Sequence, residues 1–350
     1  MTHNRGENIL SLSHAEIEAM TVDEKRRYVE SILIEHPQFT ELLAKIEHCR
    51  TFSKIARDPE CLLAMGEAGT GKTRTIEHYM QAFPRQTTES GTMIPVLSSV
   101  VPVPASYHTL AYQLLVDLGD PVPNGSTAQK TRRLIELMKD CRVELLIVDE
   151  VNHLLDKDSG RILKTPCDWL KNLMNATNIP VVLFGTPGAG KVIEDNPQLK
   201  RRFSSRFRFE PFSFETEEQK VNFRKFLYLL ERQLPLRERS HLSSLDLSYR
   251  IHYATGGYMA YVMKLIRRAT HLALDGGSER LDLDILEAAF HVIRGDSPME
   301  EHTRKKDDHE PGHKENPFRY AVFDQDGVRR LRKNHGDEKR WTRERRLNSF

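Results

Sequence analysis

Two stretches of the sequence combine glycines with a lysine at a spacing that binds phosphate. "GEAGTGKT" occupies 66–73 and "GTPGAGKV" occupies 185–192, and each is a glycine, four residues and then Gly-Lys. Such a loop works where a strand ends and a helix begins, because its amides and the helix N-terminus then converge on one anion. The first stretch has this context, since the apolar "CLLAM" precedes it and the amphipathic "KTRTIEHYMQAF" follows it. It is therefore the predicted polyphosphate site.

The side chains of the first stretch have separate predicted tasks. Lys72 supplies positive charge at the β- and γ-phosphates, and the Thr73 hydroxyl supplies a ligand for Mg²⁺. The predicted nucleotide-binding residues are Gly66, Glu67, Ala68, Gly69, Thr70, Gly71, Lys72, Thr73 and Arg74. A glycine-rich turn without a ligand is the competing interpretation, and the flanking pattern argues against it.

The second stretch lacks the metal ligand. Val192 stands where Ser or Thr is needed, and the Asn-Pro pair at 196–197 interrupts any long helix after it. We therefore interpret this stretch as a turn-rich exit from the strand "VVLFG", and we expect Lys191 to take no part in nucleotide binding.

A second motif carries two carboxylates. In "LLIVDEVNHL", four apolar residues are followed by Asp149 and Glu150. A strand with this pattern places both carboxylates at the carboxyl edge of a sheet, where open α/β sheets bind ligands. Asp149 is then expected to hold Mg²⁺ through water, and Glu150 to orient and deprotonate an attacking water. Taken alone, the pair is better explained as a charge pair in the first turn of a helix; its position about 75 residues after a phosphate loop makes catalysis the favoured interpretation.

Composition narrows the class of protein. The chain has 350 residues with 39% hydrophobic content, which is enough for a full core and two or three modules. No apolar run approaches the roughly 20 residues of a membrane span, and the polar start "MTHNRGEN" lacks a secretory signal, so we expect a cytoplasmic protein with no membrane partner. The 4 scattered cysteines favour reduced thiols. The net charge of +2 leaves any affinity for nucleic acid to local patches.

Changes in pattern along the chain predict four segments. Residues 1–58 are expected to form a polar N-terminal helical arm with a capping box at Ser13. Residues 59–212 alternate apolar runs with amphipathic stretches, which predicts an α/β domain with a central parallel sheet. Residues 213–295 show helical periodicity and predict a small all-helical lid domain. Residues 296–350 are charged and predict a largely flexible tail.

Together these motifs resemble an AAA+ ATPase. The resemblance rests on the phosphate loop, on "LLIVDE", on a polar residue that ends the next strand, on "KRRFSSRF" and on the appended helical domain. It implies an α/β P-loop AAA+ domain that binds ATP with Mg²⁺ and hydrolyses it to ADP and phosphate. It also implies a sensor role for Thr186 and an arginine finger that completes a neighbouring subunit's site. Arg206 is the first choice for this finger and Arg202 the second; a surface salt bridge is an equal alternative for either.

One position departs from the AAA+ pattern. The second sensor of that family is an arginine in Gly-x-x-Arg, whereas "TGGYMAYVMKL" places Met259 there. Lys264 and Arg267 lie about one or two helical turns further along, where we expect structural or solvent-facing roles. The departure implies a weak, partner-stimulated ATPase.

Over roughly residues 25–295 the chain more narrowly resembles the TniB/TnsC family of transposition regulators, relatives of the phage ATPase MuB. The resemblance rests on "IEHPQFTELLAKIEHCRTFSKIARDPECLLAMGEAGTGKT", "IPVLSSVVPVPASYHTLAYQLLVDLGDP", "LLIVDEVNHLL" and "GTPGAGKVIEDNPQLKRRF". It implies self-assembly as rings or helical filaments on duplex DNA, recruitment of a DDE transposase, and disassembly driven by hydrolysis. Some members serve CRISPR-associated transposons, so a TniQ-type targeting adaptor is a partner that the resemblance allows.

DNA contact needs residues of its own, because an AAA+ fold does not imply DNA binding. "SYHTLAYQLL" and "STAQKTRRLIELMK" supply hydroxyls, a tyrosine and a basic helix start, with Ser126 as the N-cap. The predicted contacts, which would follow phosphates without reading sequence, are Tyr107, Lys130, Arg132 and Arg133. An ordinary amphipathic helix with solvated basic residues is the competing interpretation.

The C-terminal segment has a basic run at 328–350 with one aromatic residue, Trp341. We expect this tail to dock on the transposase, with "NPFRY" and Trp341 as anchors. A DNA-binding arm and a solvated tail without function are the alternatives.

A different role for the whole chain is also open, because a loader or initiator-like ATPase, or a nucleotide-gated adaptor outside transposition, would keep every motif above.

Overall fold

A computed structural model of the chain describes residues 13–89, 91–155, 162–194, 197–295, 316–323 and 329–331. Contacts divide the protein into two compact units. The first, called here the α/β unit, comprises residues 35–210. The second, called the helical unit, comprises the described residues of 1–34 and 211–350.

Helices and strands alternate through the α/β unit, and helices dominate the rest. The helices are α1 (His14–Ala19), α2 (Val22–Ser31), α3 (Pro37–Phe52), α4 (Lys72–Gln81), α5 (Tyr107–Leu118), α6 (Thr127–Asp140), α7 (Lys164–Thr177), α8 (Gly190–Glu194), α9 (Pro197–Arg202), α10 (Glu217–Glu231), α11 (Leu245–Thr255), α12 (Met259–Asp275) and α13 (Leu283–Gly295). The strands are β1 (Leu62–Gly66), β2 (Gln86–Thr88), β3 (Gly91–Met93), β4 (Val96–Val100), β5 (Leu145–Asp149), β6 (Val181–Gly185), β7 (Ser205–Phe209), β8 (Tyr320–Phe323) and β9 (Arg329–Leu331). Among the described helices, none has the length and apolar character needed to cross a bilayer.

Five parallel strands form the central sheet, in the order β4-β5-β6-β1-β7. Every residue of β1, β5 and β6 is buried. This burial follows from the unbroken apolar runs, which suit strands covered by helices on both faces. The predicted α/β domain with a central parallel sheet is confirmed. A separate hairpin of β2 and β3 has a polar sequence that gave no strand signal.

The two faces of the sheet bury separate apolar clusters. Alternate residues of β1 point to opposite faces, as the period of a strand requires. Leu63 and Met65 join the cluster that α5, α6 and α7 cover. Leu62 and Ala64 join the cluster that α3 and α4 cover. The strand that leads into the phosphate loop is therefore packed on both sides, which holds the start of the loop in place.

The predicted N-terminal arm contributes to both units. The capping box at Ser13 is present, and α2 places Val29 in the core of the helical unit. Pro37 is the first residue of α3, where its fixed φ suits the first turn. Leu42 of α3 packs under the central sheet. The four-segment division stays a prediction, and the division by contacts differs from it by separating residues 1–34 from 35–58.

The turn between α11 and α12 requires glycine. Gly257 has a φ of +73°, and a Cβ on it would lie 1.9 Å from the carbonyl oxygen of Phe212. The Phe212 amide donates to the carbonyl oxygen of Gly257 over 2.9 Å, and the ring nitrogen Nε2 of His252 lies 2.7 Å from the Phe212 oxygen. Phe212, near the point where the chain enters the second segment of the helical unit, is thus hydrogen-bonded to this turn.

Part of the predicted flexible tail is packed into the helical unit, which corrects that expectation. Phe318 and Phe323 are 0% and 1% exposed. The fully buried guanidinium of Arg250 donates to the carbonyl oxygens of Pro317 over 2.6 Å and of Tyr320 over 2.8 Å. The prediction that "NPFRY" anchors the tail on a partner is wrong, because the apolar side chains of this stretch are buried against this chain. Trp341 lies outside the described residues.

Replacing Phe318 by alanine is expected to lower the free energy of unfolding of the helical unit by about 3–5 kcal/mol, because it removes a fully buried aromatic ring and leaves a cavity. Urea unfolding followed by circular dichroism measures the change. Val322→Ala on β8 is the matched control, since Val322 is 37% exposed, and it should shift the free energy by less than about 1 kcal/mol. Equal midpoints for the two variants would contradict the packing of this segment.

Candidate nucleotide-binding site

The loop at 66–73 joins β1 to α4 in a conformation that depends on glycine. Gly69 and Gly71 have φ values of +82° and +106°, in the left-handed region that favours glycine. A Cβ on Gly71 would meet nothing within 4 Å, so this side of the loop faces open space. Gly66 is required for a different reason, because a Cβ there would lie 2.6 Å from Cβ of Phe209 and 2.7 Å from Oγ1 of Thr70. The loop is therefore a cradle into which an anion can fit.

Other side chains of the loop brace it or face outward. Thr70 is buried, and its hydroxyl donates to the carbonyl oxygen of Glu67 over 2.8 Å. The side chains of Glu67 and Ala68 are exposed. Arg74 lies on the first turn of α4, where it pairs with Glu77 over 3.1 Å.

Lys72 is the first residue of α4, and its ammonium lies over the loop. It donates to the carbonyl oxygens of Gly66 over 2.6 Å and of Glu67 over 2.9 Å. Burial lowers the pKa of Lys72 below its ordinary value, and the negative charges of Asp149 and Glu150 oppose this shift. Phosphate oxygens can replace the two carbonyl oxygens as acceptors at this position.

Asp149 ends β5 directly opposite the start of α4. Its Oδ2 lies 3.5 Å from the Thr73 hydroxyl, and its Oδ1 accepts from the backbone amide of Glu150 over 2.7 Å. Burial raises the pKa of Asp149, which the amide of Glu150 and the charge of Lys72 counteract. Hydroxyl and carboxylate oxygens are the donors that Mg²⁺ prefers. Thr73 and Asp149 therefore fit the two side chains expected to hold this ion, Thr73 directly and Asp149 through water.

Glu150 has a left-handed backbone, with φ 57° and ψ 39°. This conformation is costly for a residue with a side chain, by roughly 1–2 kcal/mol, and such strain clusters at functional sites. The next element, Val151–Leu154, is a single 3-10 turn. The alternative of a charge pair on an α-helix N-terminus is therefore disfavoured, because no α-helix begins here.

Thr186 follows β6, which lies between β5 and β1 in the sheet. It is thus at the same carboxyl edge as the loop and Asp149. Its backbone amide donates to Oδ1 of Asn152 over 3.2 Å, and Nδ2 of Asn152 donates to Oε2 of Glu150 over 3.0 Å. Asn152 was not singled out in the sequence; the one signal was a polar residue two positions after the glutamate.

The second Gly-x4-Gly-Lys stretch has a different geometry. Pro187–Ala189 is a 3-10 turn, and Gly190 has a right-handed φ of −53° where the corresponding Gly71 has +106°. Lys191 is exposed on the five-residue helix α8. Val192, at the place of the metal-ligating threonine, is 2% exposed and packs in the core. The geometry agrees with an exit turn from β6.

The two candidate finger arginines have different surroundings. Arg206 on β7 is partly exposed and donates to the Glu194 carboxylate over 2.9 Å. Arg202, the last residue of α9, has a buried Nη1 that meets no hydrogen-bond acceptor in the described part of the chain. Arg206 is therefore better placed to reach another molecule.

Two of the three residues at and beyond the second-sensor position make contacts inside the helical unit, and the third is exposed. Met259 packs against the apolar core of this unit. Arg267 donates to the carbonyl oxygen of Ile32 over 3.2 Å. Lys264 is exposed on α12.

Of the three predicted DNA contacts on α6, two are exposed or stacked and one is structural. Arg132 is 84% exposed, pairing with Glu136 on the next turn of α6. Arg133 instead pairs over 2.9 Å with Asp120, whose side chain is 0% exposed. Loss of Arg133 would leave a buried carboxylate without its cation, which is strongly destabilising. Lys130 is the stacked residue, with its ammonium 5.3 Å from the centre of the Tyr112 ring.

Tyr107, the fourth predicted contact, begins α5 behind the Ser106 capping box. Its ring lies 4.0 Å from the ring of His108, centre to centre. Ser126 caps α6 as predicted, its hydroxyl accepting from the amide of Gln129. Both helix starts are thus held by local hydrogen bonds.

The strand order, the phosphate loop after β1, the Asp-Glu pair after β5 and the polar residue after β6 together define a P-loop AAA+ protein. The sequence profile of the family described as "Bacterial TniB protein" matches residues 26–213, more than half of the chain. The chain belongs to the TniB family. Among curated protein sequences, none matches the chain significantly.

Solved structures share the fold at low sequence identity. The Aeropyrum pernix Orc1 protein, solved in complex with DNA, is 16% identical with a TM-score of 0.55, covering 77% of this chain and 70% of that one. The Aeropyrum pernix Orc2 protein in its ADPNP-ADP complexes is 13% identical with a TM-score of 0.55, covering 79% and 74%. Cdc6p from Pyrobaculum aerophilum is 16% identical with a TM-score of 0.54, covering 75% and 69%. The predicted AAA+ fold and TniB family are confirmed.

Proposed function

We propose that this protein is an ATP-dependent regulator of DNA transposition, which assembles on duplex target DNA and recruits and activates a DDE transposase. The observation that carries the proposal is membership of the TniB family, because the matched residues 26–213 contain both the phosphate loop and the Asp-Glu pair. A nucleotide-controlled assembly is the simplest use of such a site in a regulator.

The proposed chemistry assigns one task to each side chain of the site. The Lys72 ammonium binds the β- and γ-phosphate oxygens of ATP, and Thr73 and Asp149 hold Mg²⁺. When bound, this ion neutralises charge on the phosphate oxygens. Glu150 orients the attacking water and takes its proton, while Thr186 contacts the γ-phosphate from the end of β6.

Hydrolysis is proposed to be weak and partner-stimulated, because Met259 replaces the second-sensor arginine. In the assembled state Arg206 leaves Glu194 and completes the neighbouring subunit's site, where an arginine finger is worth about 10³–10⁵ in rate. Turnover then disassembles the ring or filament. A TniQ-type adaptor and a CRISPR-associated route stay predictions that the family resemblance alone supports.

DNA contact is proposed for Tyr107, Lys130 and Arg132, which lie at the start of α5 and along the first turns of α6. The similarity to an Orc1 protein solved with DNA is compatible with this use of the fold. Arg133 is left out, since its bond to the buried Asp120 gives it a structural task.

Replacing Arg132 by alanine is expected to weaken duplex binding about 3-fold and to reduce the salt slope of log Kd by about 1, because one phosphate contact is lost. Fluorescence anisotropy with a labelled duplex of arbitrary sequence and a nonhydrolysable ATP analogue measures both quantities. Lys45→Ala is the matched control, since Lys45 pairs with Glu41 on α3, and it should leave the slope unchanged. Equal slopes for Arg132→Ala and the wild type would exclude this contact.

The likeness to Orc and Cdc6 proteins favours a loader or initiator-like ATPase as the second candidate. The two functions differ in their partner. Insertion of a transposon end by its transposase requires this protein if it is a transposition regulator, and proceeds equally without it if it is a loader.

A further inference from the structure

Asn152 bridges two parts of the site that the sequence separates. Its Nδ2 donates to Oε2 of Glu150 over 3.0 Å, and its Oδ1 accepts from the backbone amide of Thr186, 34 residues away, over 3.2 Å. The two partners fix the orientation of the amide, because a carboxylate only accepts and a backbone amide only donates. If the amide were flipped, its oxygen would face the Glu150 carboxylate and its nitrogen would face the Thr186 backbone amide, so neither hydrogen bond could form.

The packing around Asn152 leaves it little freedom. It lies on the 3-10 turn Val151–Leu154, where Val151 and Leu154 are 0% and 1% exposed. On the other side, a Cβ on Gly185 would come within 3.3 Å of Oδ1 of Asn152. The end of β6 and the turn after β5 are thus in close contact at Asn152.

Glu150 needs such a restraint. Its left-handed backbone sends the chain out of β5 in a turn, and its carboxylate is only partly buried. A carboxylate that must meet a water in one orientation loses rate when it rotates freely, and a displacement of about 1 Å can cost about 100-fold. The bond from Asn152 fixes one of the two oxygens, which leaves the other for the water.

We propose that Asn152 is a positioning residue for hydrolysis. It holds the Glu150 carboxylate in its working orientation and makes that orientation depend on where the Thr186 backbone lies. A movement at the end of β6, where the γ-phosphate is sensed, then changes the orientation of the Glu150 carboxylate. The inference rests on the proposed ATPase function.

The Asn152→Asp substitution removes the hydrogen bond to Glu150 and keeps the one from the Thr186 amide. The aspartate has the same shape and keeps an oxygen that accepts from the Thr186 amide, but it sets a second oxygen against Glu150. We expect kcat for ATP to fall about 10–100-fold, with the Kd for ATP within about 3-fold and an unchanged melting temperature. Asn152→Ala, which loses both bonds, should lose at least as much kcat. A kcat for Asn152→Asp within about 2-fold of the wild type, or above it, would overturn the proposal.

A double-mutant cycle excludes a merely structural effect. In a Glu150→Gln background, adding Asn152→Asp should leave the residual single-turnover rate unchanged, because the group being positioned is already lost. A structural role would lower the residual rate and the ATP affinity in both backgrounds, and this result contradicts the inference. A wild-type protein that binds no ATP contradicts the proposed function itself and the inference with it, whereas an active wild type with an unaffected Asn152→Asp variant contradicts the inference alone.

Discussion

Replacing Lys72 by alanine is expected to raise the Kd for ATP at least about 100-fold. Its ammonium lies over the phosphate loop and now donates to two carbonyl oxygens, of Gly66 and Glu67. With ATP bound, those donors meet phosphate oxygens, and hydrogen bonds to charged groups contribute about 1.5–3 kcal/mol each. A loss of about 3 kcal/mol corresponds to a factor of about 100 in Kd. Titration calorimetry with ATP and Mg²⁺ measures the change.

Lys191→Ala is the matched control for this prediction, because Lys191 ends the second Gly-x4-Gly-Lys stretch and is exposed on α8. Its loss should leave the Kd for ATP within about 3-fold, since no left-handed glycine cradle precedes it. Tight ATP binding by Lys72→Ala, or an equal loss in both variants, would refute the assignment of the loop at 66–73.

Replacing Glu150 by glutamine should lower kcat by about 10²–10⁴-fold while the Kd for ATP stays within about 3-fold. Glutamine has the same size and still offers an oxygen to Asn152, but it cannot take a proton from water. Steady-state phosphate release and calorimetry measure the two quantities. Glu41→Gln on α3, whose partner is Lys45, is the control and should turn over ATP like the wild type.

Mixing this variant with Arg206→Ala tests whether the finger acts between subunits. Each variant alone should be nearly inactive. Some interfaces of a mixed assembly pair an intact Glu150 with an intact Arg206, so turnover should reappear on mixing. Two folded, co-assembling variants that show no recovery would place the finger in the same subunit or on another arginine. Equal loss of binding and turnover in Glu150→Gln would assign that carboxylate a structural task.

The parts of the fold that could be predicted are those in which a local pattern has one physical meaning. The runs around Leu63, Ile147 and Leu183 are apolar and short, and they are followed by turn signals, which favours buried strands over helices; all three are buried strands. The glycine spacing is the same at 66–73 and at 185–192. The phosphate loop is distinguished from the second stretch only when the residue after the lysine, Thr73 or Val192, is considered as well. Each of these signals lies within about ten residues of chain.

The features that could not be predicted depend on contacts between distant residues. Asn152 is one polar residue on a turn, and its task appears only because β6 brings Thr186 beside it. Arg133 looks like a solvated cation in the sequence, but the fold sets it against the buried Asp120. Phe318 stands in a charged segment without periodicity, and its burial depends on the helical unit.

Helix α11 gives a weak sequence signal for a related reason. Its sequence "LDLSYRIHYAT" mixes polar and apolar residues, so it has no clear apolar stripe. Its Ser244 N-cap is present, with the hydroxyl accepting from the amide of Leu247. The buried Arg250 on this helix is satisfied by carbonyl oxygens about 70 residues later, which no local pattern can indicate.

ATP held by the loop at 66–73 is proposed to control assembly on duplex DNA. Negative-stain imaging of the wild type, with and without duplex and with and without a nonhydrolysable ATP analogue, tests it most directly. We expect rings or filaments only when duplex and analogue are both present, none with Lys72→Ala, and assemblies that persist in ATP with Glu150→Gln. Dispersed wild-type particles in the presence of both duplex and analogue, or identical assemblies formed by Lys72→Ala, would contradict it.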